Sequence, residues 1–348
     1  MNAKKWLILF ILSSIIFVAV PSAVVLGFNY YVDPLWNFDH KNKYNTLQAS
    51  FNERQQKTND ISNGKFNYQS LLIGTSRTTY INQYEFQEKV YNYGLSGQSI
   101  LEYPYYISYA QERNNQIFNK IYMEMTFSSF KSTTRMPMEH PDFYFEKSNA
   151  LFYRYTSLFS YDTLQKSLDN INLSTNDKFR GHRAYHRNNV AITGREGNQV
   201  ANELDKYAEE MKSIKKEKFP VNKKYNDILL TINNKFSDSE IIPFTDPIPV
   251  RKLAAMLEVE AYKEGYEKWY KEMVNHFPKV YSFQKISPIT ENLEYWIDDS
   301  HFTPEAGTMM IKALEDPKGN SNIITVVTKE NVDMYLKNTF SELEKQIK

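Results

Sequence analysis

Tyr68-Gln69-Ser70-Leu71-Leu72-Ile73-Gly74-Thr75-Ser76-Arg77 is the stretch that decides the fold. Its first six residues form a short, mostly apolar run that stops at a glycine, the pattern of a strand buried on both faces. A serine just past such a strand lies on a turn, with its hydroxyl exposed at the sheet edge. Gly74 lets the backbone turn tightly, and amides at a helix start favour negative charge. Alone, a Gly-x-Ser turn is common and more often structural than catalytic.

Outward from this run, strands alternate with helices. A second strand fits Lys89 to Tyr93, ending at Gly94, and Ser99 to Glu112 reads as a helix. A third strand fits Ile117 to Met125 and a fourth Glu240 to Thr245, which Pro247 and Pro249 terminate. A fifth fits Lys279 to Phe283. Ala201 to Lys218 and Asn222 to Phe236 are expected as helices joined at Pro220, and one long helix is expected from about Arg251 to Val274. Pro304 opens a last core helix at a favoured first-turn position. The alternation predicts an α/β fold, a three-layer parallel sheet flanked by helices. Reactive groups then collect at the carboxyl ends of the strands. Ser128 to about Val200 shows little periodicity and is rich in aromatics and arginine, so it reads as a large insertion or cap.

The N-terminus adds a second feature. Lys4 and Lys5 precede an uncharged run from Trp6 to Phe28, long enough to cross a bilayer. The flanking charges place the N-terminus in the cytoplasm and the rest of the chain outside. A cleaved signal peptide is the rival reading, but Pro21-Ser22-Ala23 is a weak cleavage site and the apolar run continues past it. The expected organisation is an uncleaved single-pass anchor over 1–28, a polar juxtamembrane lead-in over 29–66, and a domain over 67–348 with its insertion at about 128–200. Tyr30, Tyr31 and Trp36 fit the outer membrane interface.

Composition narrows the function. The 348 residues carry a net charge of +1, so no whole-chain field favours nucleic acid. The cluster Lys212 to Lys218 is interrupted by glutamates and reads as a solvated helix face. Cysteine is absent, which excludes disulfides, a thiolate nucleophile and a cysteine-ligated zinc. Tyr and Phe number 26 and 22. Such rings chiefly fill cores, although a sugar- or membrane-facing surface would also use them.

Near the far end of the chain stands Asp298-Asp299-Ser300-His301, followed by Phe302-Thr303-Pro304. Serine chemistry needs a base to take the hydroxyl proton and a carboxylate to orient that base. An Asp three residues before a His can supply both. Taken alone, the segment reads equally as a helix-capping loop, with Thr303 as the cap. Asp299 is the alternative acid, with poorer spacing. His182 and His186 have i,i+4 spacing that would suit a metal on a helix, but no carboxylate completes a familiar site, so no metal or cofactor is expected. Both stand instead as candidate substrate-binding residues. So does Arg77, which either meets an anionic group or pairs with a carboxylate inside the fold.

A serine after the first strand and Asp-x-x-His before the last core helix resemble, in that order, the SGNH (GDSL-like) hydrolase superfamily. Asn92-Tyr93-Gly94-Leu95-Ser96-Gly97 is similar to the superfamily's second block, with Gly94 at the position whose amide helps form the oxyanion hole. The resemblance covers roughly 68–127 and 241–314. It implies Ser76 as nucleophile, His301 as base and Asp298 as its orienting acid. Gly-Thr-Ser-Arg in place of Gly-Asp-Ser resembles membrane-anchored branches that modify surface polymers, such as the DltD-like and alginate O-acetylation proteins. The third block, Gly-x-Asn-Asp, is replaced by Glu124-Met125-Thr126-Phe127-Ser128. Thr126 or Ser128 would have to replace its donor, and the sequence selects neither. Ser76, Gly94 and Thr126 make up the candidate oxyanion hole. Losing one such donor costs about 10²–10³ in rate.

The resemblance implies an extracytoplasmic O-acyltransferase, acetyl by expectation. It would act on a cell-surface or secreted polysaccharide through an acyl-serine, with a membrane-bound O-acyltransferase as partner. A carbohydrate esterase of the same fold is the first alternative. A non-catalytic polymer-binding or assembly subunit is the second.

Overall fold

The computed structural model describes residues 2–176, 179–195, 199–214 and 218–347. The chain divides into two compact units, one of Asn67–Asp142, Arg180–Arg183 and Asn189–Lys348, the other of Met1–Phe66, Phe143–Phe179 and Ala184–Asn188. The expected insertion at 128–200 is thus shared between them. Of the Lys212–Lys218 cluster, residues 215–217 lie outside the described residues, and the helix expected to reach Lys218 is described as Val200–Ser213.

The larger unit is built on six strands: β1 (Ser70–Ile73), β2 (Val90–Asn92), β3 (Lys120–Met125), β4 (Glu240–Thr245), β5 (Val280–Ser282) and β6 (Thr325–Val327). Their order is β2-β1-β3-β4-β5-β6. The first five are parallel neighbours and β6 runs antiparallel to β5. Leu71 lies opposite both Tyr91 of β2 and Ile121 of β3, and Leu71, Leu72 and Ile73 are fully buried. That burial is why β1 reads as a continuous apolar run instead of an alternation. Helices Tyr103–Asn114, Tyr225–Lys235, Glu260–His276 and Pro304–Glu315 are among those that flank the sheet. The chain leaves β1 for β2 on one side and crosses back to β3 on the other. The switch point, where such folds hold their ligands, therefore lies beyond the carboxyl ends of β1 and β3.

The helix expected over 251–274 is two helices, Val250–Leu257 and Glu260–His276, broken where Val259 turns extended (φ −82°, ψ 109°). In one straight helix Trp269 would lie about 160° round the axis from Leu253. The break lets both be buried. The core is strongly aromatic, and buried rings find partners for their polar ends. Trp269 Nε1 donates to Tyr225 Oη at 2.9 Å, and Tyr103 Oη donates to the Glu124 carbonyl at 3.0 Å.

Gly74 is required by a close approach. A Cβ there would come within 2.6 Å of the Glu124 Cβ on β3. Gly74→Ala is expected to cost about 1–3 kcal/mol by overpacking, read as a lower urea midpoint with an unchanged slope.

The smaller unit begins with helix Ala3–Val32, the one helix among the described residues long and apolar enough to cross a membrane. Its side chains from Trp6 to Val24 are largely exposed, whereas Asn29 and Val32 in its last turn are buried. Residues 29–66, expected as a lead-in, carry helix Glu53–Asn63 with a buried polar face. Gln56 Nε2 donates to the Pro34 carbonyl and Asn59 Nδ2 to the Leu35 carbonyl, each at 2.9 Å. Strands Leu47–Ala49 and Ala184–His186 pair antiparallel.

Candidate active site

Ser76 sits on the turn after β1, and His301 and Asp298 sit on the loop before helix Pro304–Glu315. The fold brings them together across 225 residues of sequence. Ser76 Oγ lies 2.8 Å from His301 Nε2. His301 Nδ1 lies 2.9 Å from Asp298 Oδ2, and Asp298 Oδ1 accepts the His301 and Ser300 amides at 2.7 and 2.8 Å. The carboxylate next to Nδ1 assigns the ring proton there, leaving Nε2 to accept from the serine. Thr303 caps the following helix through the Ala306 amide. The loop is therefore both a cap and a chemical site. Asp299 is engaged elsewhere, paired with Lys252 Nζ at 2.6 Å.

A second histidine meets the same carboxylate. His182 Nε2 lies 2.9 Å from Asp298 Oδ2, and Tyr80 Oη donates to the His182 carbonyl at 2.9 Å and lies 3.1 Å from its Nδ1. Burial works to raise the Asp298 carboxyl, but the hydrogen bonds of His182 and His301 and the charge of His301 hold it well below the usual range. His182, Asp298 and His301 offer ligand atoms within 4.8 Å of one another, a grouping that could hold a metal. The i,i+4 pair read from the sequence does not form, because Ala184–His186 is a strand and His186 lies in the smaller unit with its side chain exposed.

The turn bearing Ser76 is organised from β3. Glu124, fully buried, accepts from the Thr75 amide, from Thr75 Oγ1 at 3.1 Å and from Thr78 Oγ1 at 2.7 Å. Arg77 Nε lies 3.3 Å from Glu124 and Arg77 Nη1 2.5 Å from Asp246, just past β4. Arg77 thus pairs with carboxylates inside the fold, one of its two readings. Arg183 Nη1 donates to the Ser76 carbonyl at 3.3 Å, and Arg183 also bonds Ser96. Glu124, Asp246 and Arg183 were not identifiable from sequence; the nearest signal was a carboxylate inside the apolar run of β3.

The oxyanion donors differ from expectation. The Gly94 amide donates to Asn92 Oδ1 at 2.8 Å inside the fold, so it is not free to face an oxyanion. The amides of Ser76 and of Gly97, whose φ is +59°, have no partner among the described residues. Both residues line a cleft of about 570 Å³ with His301, Thr126 and Ser128. Thr126 Oγ1 is hydrogen-bonded to Ser128 Oγ and Ser129 Oγ at 3.0 and 2.7 Å. Gln98 also lines the cleft, buried, with neither end of its amide partnered among the described residues. Lys131 and Arg135 add positive charge to the wall.

The arrangement combines a nucleophile, a base, an orienting acid, two unengaged amides and a cleft. Groups so placed are chemically able to carry acyl transfer through serine. No family model and no curated protein matches the chain. One solved structure from Streptococcus pneumonia, described as that of a candidate platelet activating factor, is similar at 12% identity over 76% of this chain and 91% of its own, with a TM-score of 0.34. Similarity at that level carries no argument.

Proposed function

We propose that the protein is a membrane-anchored, extracytoplasmic O-acyltransferase of the SGNH type that acetylates a polysaccharide through an acyl-serine. The observation that carries this reading is the hydrogen-bonded chain Ser76–His301–Asp298 at the switch point of the sheet, opening on the cleft. Ser76 Oγ attacks the donor's ester carbonyl while its proton passes to His301 Nε2. The Ser76 and Gly97 amides receive the oxyanion. As the tetrahedral species collapses, His301 returns the proton to the leaving alcohol and the acyl group stays on Ser76. A sugar hydroxyl then gives its proton to His301 as it attacks the acyl carbon, and His301 passes that proton to the departing Ser76 Oγ, restoring the free serine; water in place of the sugar gives hydrolysis. The donor in this reading is supplied by a membrane-bound O-acyltransferase. A non-catalytic subunit would have no need of an aligned triad.

The test offers the full-length protein an activated acetyl ester and candidate oligosaccharides, and follows acetate and acetylated sugar by mass spectrometry. Ser76-dependent sugar acetylation is expected. Ser76-dependent acetate release with every acceptor left unmodified would replace the transferase with an esterase.

His182 is a positioning residue in this scheme: its Nε2 meets Asp298 at 2.9 Å and its ring packs edge-on against the His301 ring, centroids 4.7 Å apart. His182→Ala is expected to lower kcat about 10- to 100-fold, the scale of a misplaced catalytic group, with KM little changed. His182→Gln, which keeps an N–H for the carboxylate, is expected to recover most of that loss. Equal losses in the two variants would remove the hydrogen bond from the account.

A further inference from the structure

Beyond the anchor helix, the smaller unit carries a second apolar feature. Along Leu151–Tyr161 the side chains of Leu151, Phe152, Tyr155, Phe159 and Tyr161 are 83, 63, 50, 61 and 74% exposed. Such a patch on a short helix and the turns around it is costly in water, by about 25 cal/mol per Å² of apolar surface. Phe152 also holds a left-handed backbone conformation, φ 64°, unfavourable for a side chain with a Cβ.

The patch is fixed to one level of the anchor helix. Asn29 Nδ2 donates to the Leu158 carbonyl at 2.8 Å, and Ser167 Oγ donates to Asn29 Oδ1 at 2.8 Å. Just past the helix, Asn37 Nδ2 donates to Ser157 Oγ at 3.1 Å, and the Phe38 ring lies 6.0 Å from Tyr155. The apolar run Trp6–Phe28 spans about 34 Å at ~1.5 Å per residue, against a hydrocarbon core of ~30 Å. A helix that crosses the bilayer with this run therefore leaves the core within about a turn of Asn29. The 151–161 segment is bonded at that height. Aromatic rings with nearby cations are the composition of the membrane–water interface. Here Arg154 stacks over Phe38 and Tyr155, and Lys147 over Phe143 and Tyr153.

We infer that Leu151–Tyr161 is a second membrane contact, seated among the phospholipid headgroups and upper acyl chains of the leaflet from which the anchor helix emerges. The inference rests on the reading of Ala3–Val32 as a membrane span. It fixes the height and tilt of the smaller unit on the bilayer, which one helix alone leaves free.

The absence of cysteine allows single labelling sites. Phe152→Cys, Phe159→Cys and, as a deep reference, Ile16→Cys carry an environment-sensitive dye in the full chain, reconstituted into phosphatidylcholine–phosphatidylglycerol vesicles. Quenching by lipids spin-labelled near the headgroup or deep in the chain is compared with quenching by aqueous iodide. The expected result is strong headgroup-level quenching at 152 and 159, deep quenching at 16, and iodide quenching at 152 and 159 several-fold below that of the free dye. Iodide quenching at 152 and 159 equal to that of free dye, with 16 still deep, would overturn the inference while leaving the anchor intact. Labels at 152 and 159 shielded from iodide and lipid quenchers alike would overturn it in favour of contact between copies of the chain. A label at 16 untouched by deep quenchers would remove the anchor reading itself.

Discussion

Ser76→Ala is expected to lower ester turnover by about 10⁴ or more, the loss seen when a triad nucleophile is removed, while the protein keeps its fold. The two halves of the expectation have separate causes. Among the described residues Ser76 Oγ bonds only His301 Nε2, and a part-exposed hydrogen bond contributes about 1 kcal/mol. The turn is held independently: Thr79 Oγ1 and Arg183 donate to the Ser76 carbonyl, and Glu124 accepts from the Thr75 amide and from the Thr75 and Thr78 hydroxyls. Thermal melting should therefore move by a few degrees at most while turnover disappears. Comparable turnover in Ser76→Ala would place the chemistry elsewhere.

Arg77→Met is expected to have the largest effect on stability, and an effect that depends on pH. Glu124 and Asp246 are almost completely inaccessible, and the Arg77 side chain is 20% exposed. Removing one member of a buried ion-pair cluster costs about 3–5 kcal/mol, because the charges left behind are neither solvated nor paired. Burial already pushes the Asp246 carboxyl up while Arg77 pulls it back. Without the arginine only the Lys252 charge and a backbone hydrogen bond still oppose burial, and the Glu124 charge adds to it, so the native state holds protons that the unfolded state has released. Stability then falls as pH rises. Urea melts of the variant should show a deficit that grows between about pH 5 and 8. A deficit independent of pH would mean that the cost is lost packing of the arginine stem. The same substitution should also disturb turnover, since Arg77 adjoins the nucleophile.

Legibility in the sequence followed the physical origin of each element. β1 and β4 were readable because a buried strand is apolar and must stop, and glycine or proline marks the stop; β3 was readable from its alternation. Ser76, Asp298 and His301 were readable because serine chemistry uses a short list of residue types, and their order along the chain resembles that of the SGNH superfamily. Their alignment could come only from the fold. Helix Glu53–Asn63 was illegible for the opposite reason: apart from Ile61 its buried side chains are Glu, Arg, Gln, Lys, Thr and Asn, and a polar interior leaves no periodic signal. The break at Val259 carries no glycine or proline to announce it. Strand β6 and helix Val332–Ile347 lie beyond the last motif and were not predicted. The roles of Glu124 and His182 depend on long-range contacts, which residue spacing does not encode. The oxyanion hole shows the limit most sharply. Gly94 and Gly97 stand three apart in one block, yet the Asn92 side chain takes the Gly94 amide while the Gly97 amide has no partner among the described residues.

The central claim is that Ser76 becomes acylated. The most direct measurement reacts the full-length protein with 4-nitrophenyl acetate, quenches in acid and maps the adduct by peptide mass spectrometry. The account predicts a single acetyl group on Ser76, formed in a burst and absent from both Ser76→Ala and His301→Ala. A folded wild-type protein with no adduct, or one whose adduct persists in Ser76→Ala, would contradict it.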